Sequence, residues 1–386
     1  MESRKKIGAA RRIVVKVGSS LLTTADLQLN VAFIDELSSE ISAAGNDGRE
    51  ILLVTSGAVA AGMSVLGWQR RPQSVVDFHV AAAVGQLGLY AAYEKSLARH
   101  AIKPAQLLLS VDELSGRSTY LNSRAIIRNL FDLGILPVVN ENDAVAMGER
   151  RLGDNDRLAA VLANLIEADL LVIMTDVDGV YERGRVGDEK SIIRQMAVAD
   201  GNDLLVHAGE DSSSMLGSGG MQGKLSAVAA AARGGTDTLI INGRGRENLT
   251  RALAGAQIGT AFWAAASPRR ARKLWILEGA AVKGRLHLDQ GAVRAISSRG
   301  GSLLPVGVEA VSGDFQRGDS VECVDGQERV IARGVVNYNS RDAARLVRVR
   351  SDAIAKTLGH AAEPEIIHRD NLALLQDSRA ETVASG

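Results

Sequence analysis

Short apolar runs recur along the first two thirds of the chain, and each run ends in a turn of small or polar residues. Between these runs, apolar residues keep helical spacing, as Ile34, Leu37 and Ile41 do. The runs predicted to be strands are 12–17, 51–54, 106–109, 136–139, 170–174 and 238–241. This alternation predicts an α/β fold with a largely parallel sheet sandwiched by helices.

Several predicted strands lead directly into polar turns. These turns lie at Lys16-Val17-Gly18, Ser56-Gly57, 140–143 and Thr175-Asp176. In open sheets of this kind, ligands bind beyond the carboxyl ends of the strands. We therefore expect the turns to converge on one crevice.

The most polar connection joins strand 136–139 to a predicted helix at 158–166. It contains Asn140-Glu141-Asn142-Asp143 and then Gly153-Asp154-Asn155-Asp156. One of these residues can cap the helix, but a cap needs only one side chain. The surplus indicates recognition of an ammonium group or of a metal-bound phosphate.

A glycine-rich segment, 217–224, precedes an alanine-rich predicted helix and ends in Lys224. Backbone donors, the helix dipole and a lysine together suit a phosphate, although a flexible linker would have the same composition. The segment is not a Walker A loop, which would need glycine at Ser218 and a hydroxyl residue at Leu225. Nor is it a dinucleotide-binding loop, which would need glycine at Gln222.

The sequence pattern changes after residue 273, where short predicted strands and tight turns replace the longer units. We predict a basic amino-terminal tail at 1–11, a first domain at 12–263 and a connection at 264–273. A small, mostly β domain follows at 274–368, with strands at 274–277, 284–288, 321–324 and 330–338, and a tail at 369–386.

Composition narrows the class of protein. The 45 basic and 45 acidic residues give a net charge of zero, which provides no general attraction to nucleic acid or to an anionic membrane. The single cysteine, Cys323, rules out an internal disulfide. Residues 1–12 lack the apolar run of a signal peptide, so a cytoplasmic protein without a membrane span is expected.

The order of six motifs resembles the glutamate 5-kinases of the amino acid kinase family. The motifs are KVGSS from Lys16, VTSGAVAAG from Val54, PVVNENDAVA from Pro137, GDND from Gly153, MTDVDGVY from Met174 and GSGGMQGK ending at Lys224. Beyond residue 274, the segments WILEG, RGGSLLPVGV, GDFQRGD and RGVVNYNS resemble a PUA domain.

This resemblance implies ATP-dependent phosphorylation of the γ-carboxylate of L-glutamate, the first step of proline biosynthesis, with Mg²⁺ and with proline as a feedback inhibitor. It also implies a homo-oligomer, a dimer or a tetramer. The catalytic residues implied are Lys16, Asp156 and Lys224. The substrate-binding residues implied are Ser56, Gly57, Asn140, Asp143, Asp154 and Asn155. The nucleotide-binding residues implied are Lys16, Thr175, Asp176, Ser218, Gly219, Gly220, Met221, Gln222, Gly223 and Lys224. No protein ligand for the metal is assigned.

Two alternatives stay open at this point. The chain could be a related kinase acting on another carboxylate or carbamate, such as acetylglutamate or aspartate. It could instead be an RNA-binding module centred on the PUA-like domain, but acidic and basic residues balance there and few aromatics are present, so RNA binding is not expected. The segment 182–190 is short for the family, which affects the expected lid on the nucleotide side.

Overall fold

The computed structural model describes residues 2–143, 155–182, 185, 187–198, 220–268, 271, 273, 276–277, 281–360 and 363–375. The chain divides into two units, Met1–Pro268 and Arg269–Gly386.

In the described part of the first unit, eight strands form one sheet. The strands are β1 Arg12–Val17, β2 Glu50–Val54, β3 Lys103–Leu109, β4 Ile135–Glu141, β5 Leu170–Thr175, β6 Gln195–Val198, β7 Asp237–Asn242 and β8 Thr260–Ala264. Their order is β3-β4-β2-β1-β5-β7-β8-β6. Every neighbouring pair is parallel except β7 with β8.

Helices cover both faces of the sheet. They are α1 Glu2–Ala9, α2 Ser19–Leu22, α3 Val31–Asn46, α4 Ala58–Leu66, α5 Val75–Ala98, α6 Val111–Ser115, α7 Arg117–Asp132, α8 Asn155–Ile166, α9 Met221–Arg233 and α10 Asn248–Leu253. Residues of α3, α5 and α10 pack on one face, and residues of α6 to α9 pack on the other. The central strands β1 and β5 are therefore buried on both sides, which explains their continuous apolar, β-branched sequences.

The predicted parallel sheet and its covering helices are confirmed. The sequence analysis missed β6 and β8, which pair with each other beside β7. Strand β6 is short and three of its four residues are partly or fully exposed, so it lacks the apolar run by which the six predicted strands were found.

The prediction of a separate basic tail at residues 1–11 is wrong for the described part of that segment. Residues 2–9 form helix α1, and Ile7 is buried in the core of the first unit. The Arg4 guanidinium donates hydrogen bonds to the carbonyls of Ile258, at 2.9 Å, and Arg194, at 2.8 Å. The composition of α1 is otherwise strongly polar. The helix is held in place by the buried side chain of Ile7 and by the hydrogen bonds that Arg4 donates to main-chain carbonyls.

Helices α4 and α5 pack backbone against backbone. A Cβ atom on Gly62 would lie 1.8 Å from the carbonyl oxygen of Ala81, and one on Gly85 would lie 1.9 Å from that of Ala58. Only glycine permits this approach, because the atoms in the way belong to the main chain.

Helix α5 is also long and apolar enough to span a membrane on length and composition alone. In this fold it packs against α3, α4 and β3, and a stripe of its side chains faces outward. The exposed residues of that stripe are Val76, Val80, Val84 and Leu87.

The described part of the second unit contains a five-stranded sheet of order β10-β9-β11-β12-β13. The strands are β9 Val282–Leu288, β10 Val308–Gly313, β11 Ser320–Val324, β12 Val330–Val335 and β13 Leu372–Leu374. Helices Gln290–Arg299, Ser340–Arg345 and Ile354–Leu358 accompany it, and Cys323 is a buried free thiol in the core.

Two predictions for this unit are wrong. Ile276 and Leu277, which were expected in a strand, have helical backbone. Residues 372–374, which were assigned to the carboxyl-terminal tail, form β13 against β12, so the domain extends beyond residue 368.

Replacing Gly85 with alanine is expected to destabilise the first unit by about 3 kcal/mol or more, because the added methyl group overlaps main-chain atoms. Thermal unfolding followed by calorimetry measures the loss. Gly45→Ala is the matched control, since Gly45 is an exposed helical glycine with no atom within 4 Å of an added Cβ. That variant should be neutral or gain up to about 1 kcal/mol. Equal stabilities for the two variants would contradict the close packing of α4 and α5.

Candidate active site

A buried carboxylate lies between two buried ammonium groups at the centre of the first unit. Lys16 Nζ is 2.7 Å from Asp156 Oδ1, and Lys224 Nζ is 3.4 Å from Asp156 Oδ2. Burial by itself raises the pKa of Asp156, but the two ammonium groups outweigh burial and hold the pKa below its usual range. With both lysines protonated and Asp156 ionised, the three side chains carry a net charge of +1, which favours an anion at this place.

Three separate elements place these side chains. Lys16 is near the carboxyl end of β1, Asp156 is in the first turn of α8, and Lys224 is in the first turn of α9. The Gly18 N–H donates to the Met174 carbonyl at 3.0 Å, which ties the turn after β1 to β5. The site thus forms where the strands end and two helices begin, as predicted for an open parallel sheet.

A cavity of about 370 Å³ lies beside this charge centre. Five of the predicted substrate-binding residues line it: Ser56, Gly57, Asn140, Asp143 and Asn155. These residues come from the turn after β2, the segment from the end of β4, and α8, which are far apart in the sequence. The topology therefore brings together the residues that the motif order indicated.

A chain of hydrogen bonds links three of these residues. Asn155 Nδ2 donates to Ser56 Oγ at 3.1 Å and to Asn140 Oδ1 at 3.2 Å. All three side chains are buried. One wall of the cavity is therefore a fixed polar network.

Asp143 is also buried, and its Oδ1 has no hydrogen-bond partner among the residues that the structure describes. Burial raises the pKa of Asp143 to about 6. A buried carboxylate without a partner is costly, and a ligand cation would relieve that cost. Asp143 therefore gives the cavity wall an unpaired buried carboxylate oxygen among the described residues.

The sequence analysis missed several residues that line the same cavity, among them Arg70, Arg71 and Phe78. The two arginines are in the loop between α4 and α5, and neither makes an ion pair with a residue in the described part of the chain. Adjacent arginines in a loop were the available signal. Without the fold, nothing connected them to the polar residues near position 140.

None of the predicted nucleotide-binding residues that the structure describes lines this cavity. Thr175, the last residue of β5, is buried, and its hydroxyl donates to Asp176 Oδ1 at 3.2 Å. Gly220 precedes α9, and Met221, Gln222, Gly223 and Lys224 form its first turn. The predictions for Asp154, Ser218 and Gly219 fall outside the described residues.

The described residues contain no group of three or more His, Cys, Asp or Glu side chains that could hold a metal ion. A magnesium ion therefore does not fit a carboxylate cluster supplied by this part of the chain.

Comparison with known proteins agrees with this geometry. A sequence model of the amino acid kinase family matches residues 11–242, and one of the PUA domain matches residues 284–358. A glutamate 5-kinase of Thioalkalivibrio sulfidiphilus is 46% identical over 375 residues, which cover 97% of this chain and 100% of the relative. The chain belongs to the amino acid kinase family, in its glutamate 5-kinase branch. It is therefore a kinase, and the family and fold class predicted from the sequence are confirmed.

Other relatives extend the comparison. A glutamate 5-kinase of Stutzerimonas stutzeri is 48% identical over 373 residues, which cover 96% of this chain and 100% of the relative. Among solved structures, UMP kinase from Bacillus anthracis matches 67% of this chain and 98% of its own, with 15% identity and a TM-score of 0.47.

Asp143→Asn is expected to stabilise the ligand-free protein at neutral pH and to have little effect near pH 4. The pKa of Asp143 is about 6 in the folded state and 3.8 as the ordinary value. Folding therefore favours the protonated form, and the wild type loses stability relative to the variant as the pH rises from about 4 to about 6. Calorimetric melting temperatures at pH 4.5 and pH 7.5 test this.

The matched control is Asp132→Asn, because Asp132 is exposed at the end of α7. The control should shift the melting temperature little, and by the same amount at both pH values. A stabilisation by Asp143→Asn that is equal at the two pH values would contradict a raised pKa for Asp143.

Proposed function

We propose that this kinase transfers the γ-phosphoryl group of ATP to the γ-carboxylate of L-glutamate, giving L-glutamyl 5-phosphate in the first step of proline biosynthesis. Full-length relatives named glutamate 5-kinase support the substrate. The observation that carries the proposal is that two adjacent residues have different surroundings. Asn155 lines the cavity, and Asp156 is held by Lys16 and Lys224.

The reaction needs charge neutralisation more than acid–base catalysis. The attacking γ-carboxylate is already ionised, so its oxygen forms the new bond to phosphorus while the bond to the β-phosphate oxygen breaks and ADP leaves. Two anions must approach each other, and the ammonium groups of Lys16 and Lys224 offset their repulsion. Asp156 keeps both lysines in place before the substrates arrive, so little reorganisation is required during transfer.

The cavity supplies complementary groups for the rest of glutamate. Asp143 pairs with the α-ammonium group. Gly57 has a left-handed backbone, with φ of 95°, and directly precedes α4, so this turn presents a helix amino terminus to a carboxylate together with the Ser56 hydroxyl. Arg70 and Arg71 add positive charge for a carboxylate.

The nucleotide would lie on the other side of the charge centre. Thr175, Asp176 and the residues from Gly220 to Lys224 are our candidates for it, together with Ser218 and Gly219 outside the described residues. Mg²⁺ would enter with the ATP phosphates, where it would neutralise phosphate charge.

We further propose that proline inhibits the enzyme, that the protein is a cytoplasmic homo-oligomer, and that the PUA domain does not bind RNA. The exposed apolar stripe of α5 supports self-association.

In the PUA unit, Arg285 and Arg333 both contact Glu322, at 3.1 Å and 3.2 Å. Part of the positive charge of this unit is therefore neutralised internally, which supports the proposal that it does not bind RNA.

Hydroxamate trapping of an acyl phosphate tests the function. Purified protein with Mg-ATP is expected to form the hydroxamate from L-glutamate, less of it when proline is added, and little from acetylglutamate or aspartate. Product formed preferentially from either of the other acids would replace glutamate as the substrate. No product from any of them would overturn the proposal.

Lys224→Ala should lower turnover on the order of 100-fold or more, because one preorganised donor to the transferring phosphoryl group is lost. Initial rates of ADP release at saturating glutamate and ATP measure the effect. Lys103→Ala, which removes an exposed lysine at the start of β3, should leave turnover unchanged. A near-normal rate for Lys224→Ala would remove Lys224 from the catalytic group.

Asp143→Asn should raise the KM for glutamate by about tenfold or more with a smaller change in kcat, since a contact with the ammonium group is made equally in the ground and transition states. Proline sensitivity should weaken in parallel if proline occupies the same cavity. Steady-state kinetics with and without proline provide both readouts. Lost turnover at an unchanged KM would instead assign Asp143 to the phosphoryl-transfer step.

A further inference from the structure

We propose that Gln86, on helix α5, is a positioning residue that orients Asn140, Asn155 and Ser56 through a hydrogen-bond relay and so sets the affinity for the amino acid. This inference rests on the proposed function, because it concerns the cavity that we assign to glutamate. Gln86 itself is not among the described residues that line the cavity. It acts through Asn140.

The relay begins at a donor whose direction cannot be reversed. The backbone N–H of Glu141 donates to Asn155 Oδ1 at 3.1 Å. A backbone N–H can only donate, so the oxygen of the Asn155 amide must face Glu141. The NH₂ group of Asn155 is thereby directed toward the cavity wall.

Each following group is then fixed in turn. The Asn155 NH₂ donates to Ser56 Oγ and Asn140 Oδ1, so Asn140 must present its own NH₂ on the opposite side. That NH₂ donates to Gln86 Oε1 at 2.7 Å. Gln86 is therefore the acceptor at which the relay ends, and it holds the Asn140 amide in the one orientation that fits the other two residues.

The relay also sets the direction of the hydrogen bonds that the Ser56 hydroxyl can make. Its oxygen accepts from Asn155, and no described residue accepts a hydrogen bond from its hydroxyl. The Ser56 hydrogen therefore remains available to a ligand in the cavity, which suits a carboxylate oxygen. If Asn140 turned over, two NH₂ groups would face each other, and Asn155 could no longer serve both partners.

The position of Gln86 is itself tightly constrained. A Cβ atom on the preceding residue, Gly85, would overlap main-chain atoms of α4 at Ala58 and Gly62, so the two helices pack at close range there. Helix α4 starts directly after Gly57, in the turn that carries Ser56. The two ends of the relay are therefore joined through one closely packed helix pair.

Two variants, Gln86→Met and Gln86→Glu, distinguish the effect of losing the hydrogen-bond acceptor from the effect of changing the side chain. Methionine has a similar length but offers only a weak sulfur acceptor, whereas glutamate keeps an oxygen acceptor at the same place. Gln86→Met should raise the KM for glutamate by about tenfold, because a buried amide loses its partner, with kcat and the KM for ATP within about twofold of wild type. Gln86→Glu should recover most of the affinity.

The same two substitutions at Gln73, an exposed glutamine before α5, should leave all three kinetic constants unchanged. The wild-type reaction reports separately on the proposed function. If the wild type forms no acyl phosphate from glutamate, the function fails. If the wild type is active and Gln86→Met keeps its KM for glutamate within about twofold, the relay is overturned.

Two other results would also overturn the relay. One is a Gln86→Met variant that loses stability and shows equal increases in the KM for glutamate and for ATP, since that indicates a general structural defect. The other is a Gln86→Glu variant as impaired as Gln86→Met, since the acceptor would then be irrelevant. Crystal structures of the ligand-free proteins give a readout without substrate: in Gln86→Met, the contact between Asn155 and Ser56 should lengthen, and an unchanged contact would contradict the relay.

Discussion

The arrangement of the first unit depends on a buried carboxylate held between two lysines. Asp156 lies 2.7 Å from the ammonium of Lys16 and 3.4 Å from that of Lys224, and all three side chains are nearly inaccessible to solvent. Burying one such charge alone costs several kcal/mol, so each ion pair offsets part of the cost of burying the other charges. This requirement ties the end of β1 to the starts of α8 and α9.

The cavity that we assign to the amino acid is joined to this charge centre by a single peptide bond, between Asn155 and Asp156. Because both residues are in the first turn of α8, any movement of that turn changes the cavity wall and the lysine pair together. The hydrogen bonds from Asn155 to Ser56 and Asn140 hold the turn from one side, and the two ion pairs hold it from the other. One short segment thereby connects the cavity wall to the lysine pair.

Buried polar groups in this region differ in whether they have hydrogen-bond partners. The relay of Asn155, Asn140 and Gln86 is paired internally, whereas Asp143 has a buried oxygen without a described partner. The first condition makes the wall rigid. The second leaves a local free-energy cost, because a buried oxygen without a hydrogen-bond partner has lost its contacts with water.

The sequence by itself determined the features that depend on local pattern. Period and length predicted most strands and helices of the first unit. The order of motifs predicted the family, and it named the three residues of the charge centre and five of those that line the cavity. Even the position of Gln86, a polar residue inside the apolar run of α5, was visible. What it contacts was not, because its partner Asn140 lies 54 positions away.

Only the tertiary structure decided the properties that arise between distant segments. The docking of α1 depends on carbonyls near residues 194 and 258, and the short strand β6 exists because β8 lies beside it. The raised pKa of Asp143, the arginines at the cavity and the direction of each amide in the relay likewise follow from burial and from neighbours in space. Such properties are not functions of local composition, because burial and hydrogen-bond direction are set by the whole fold.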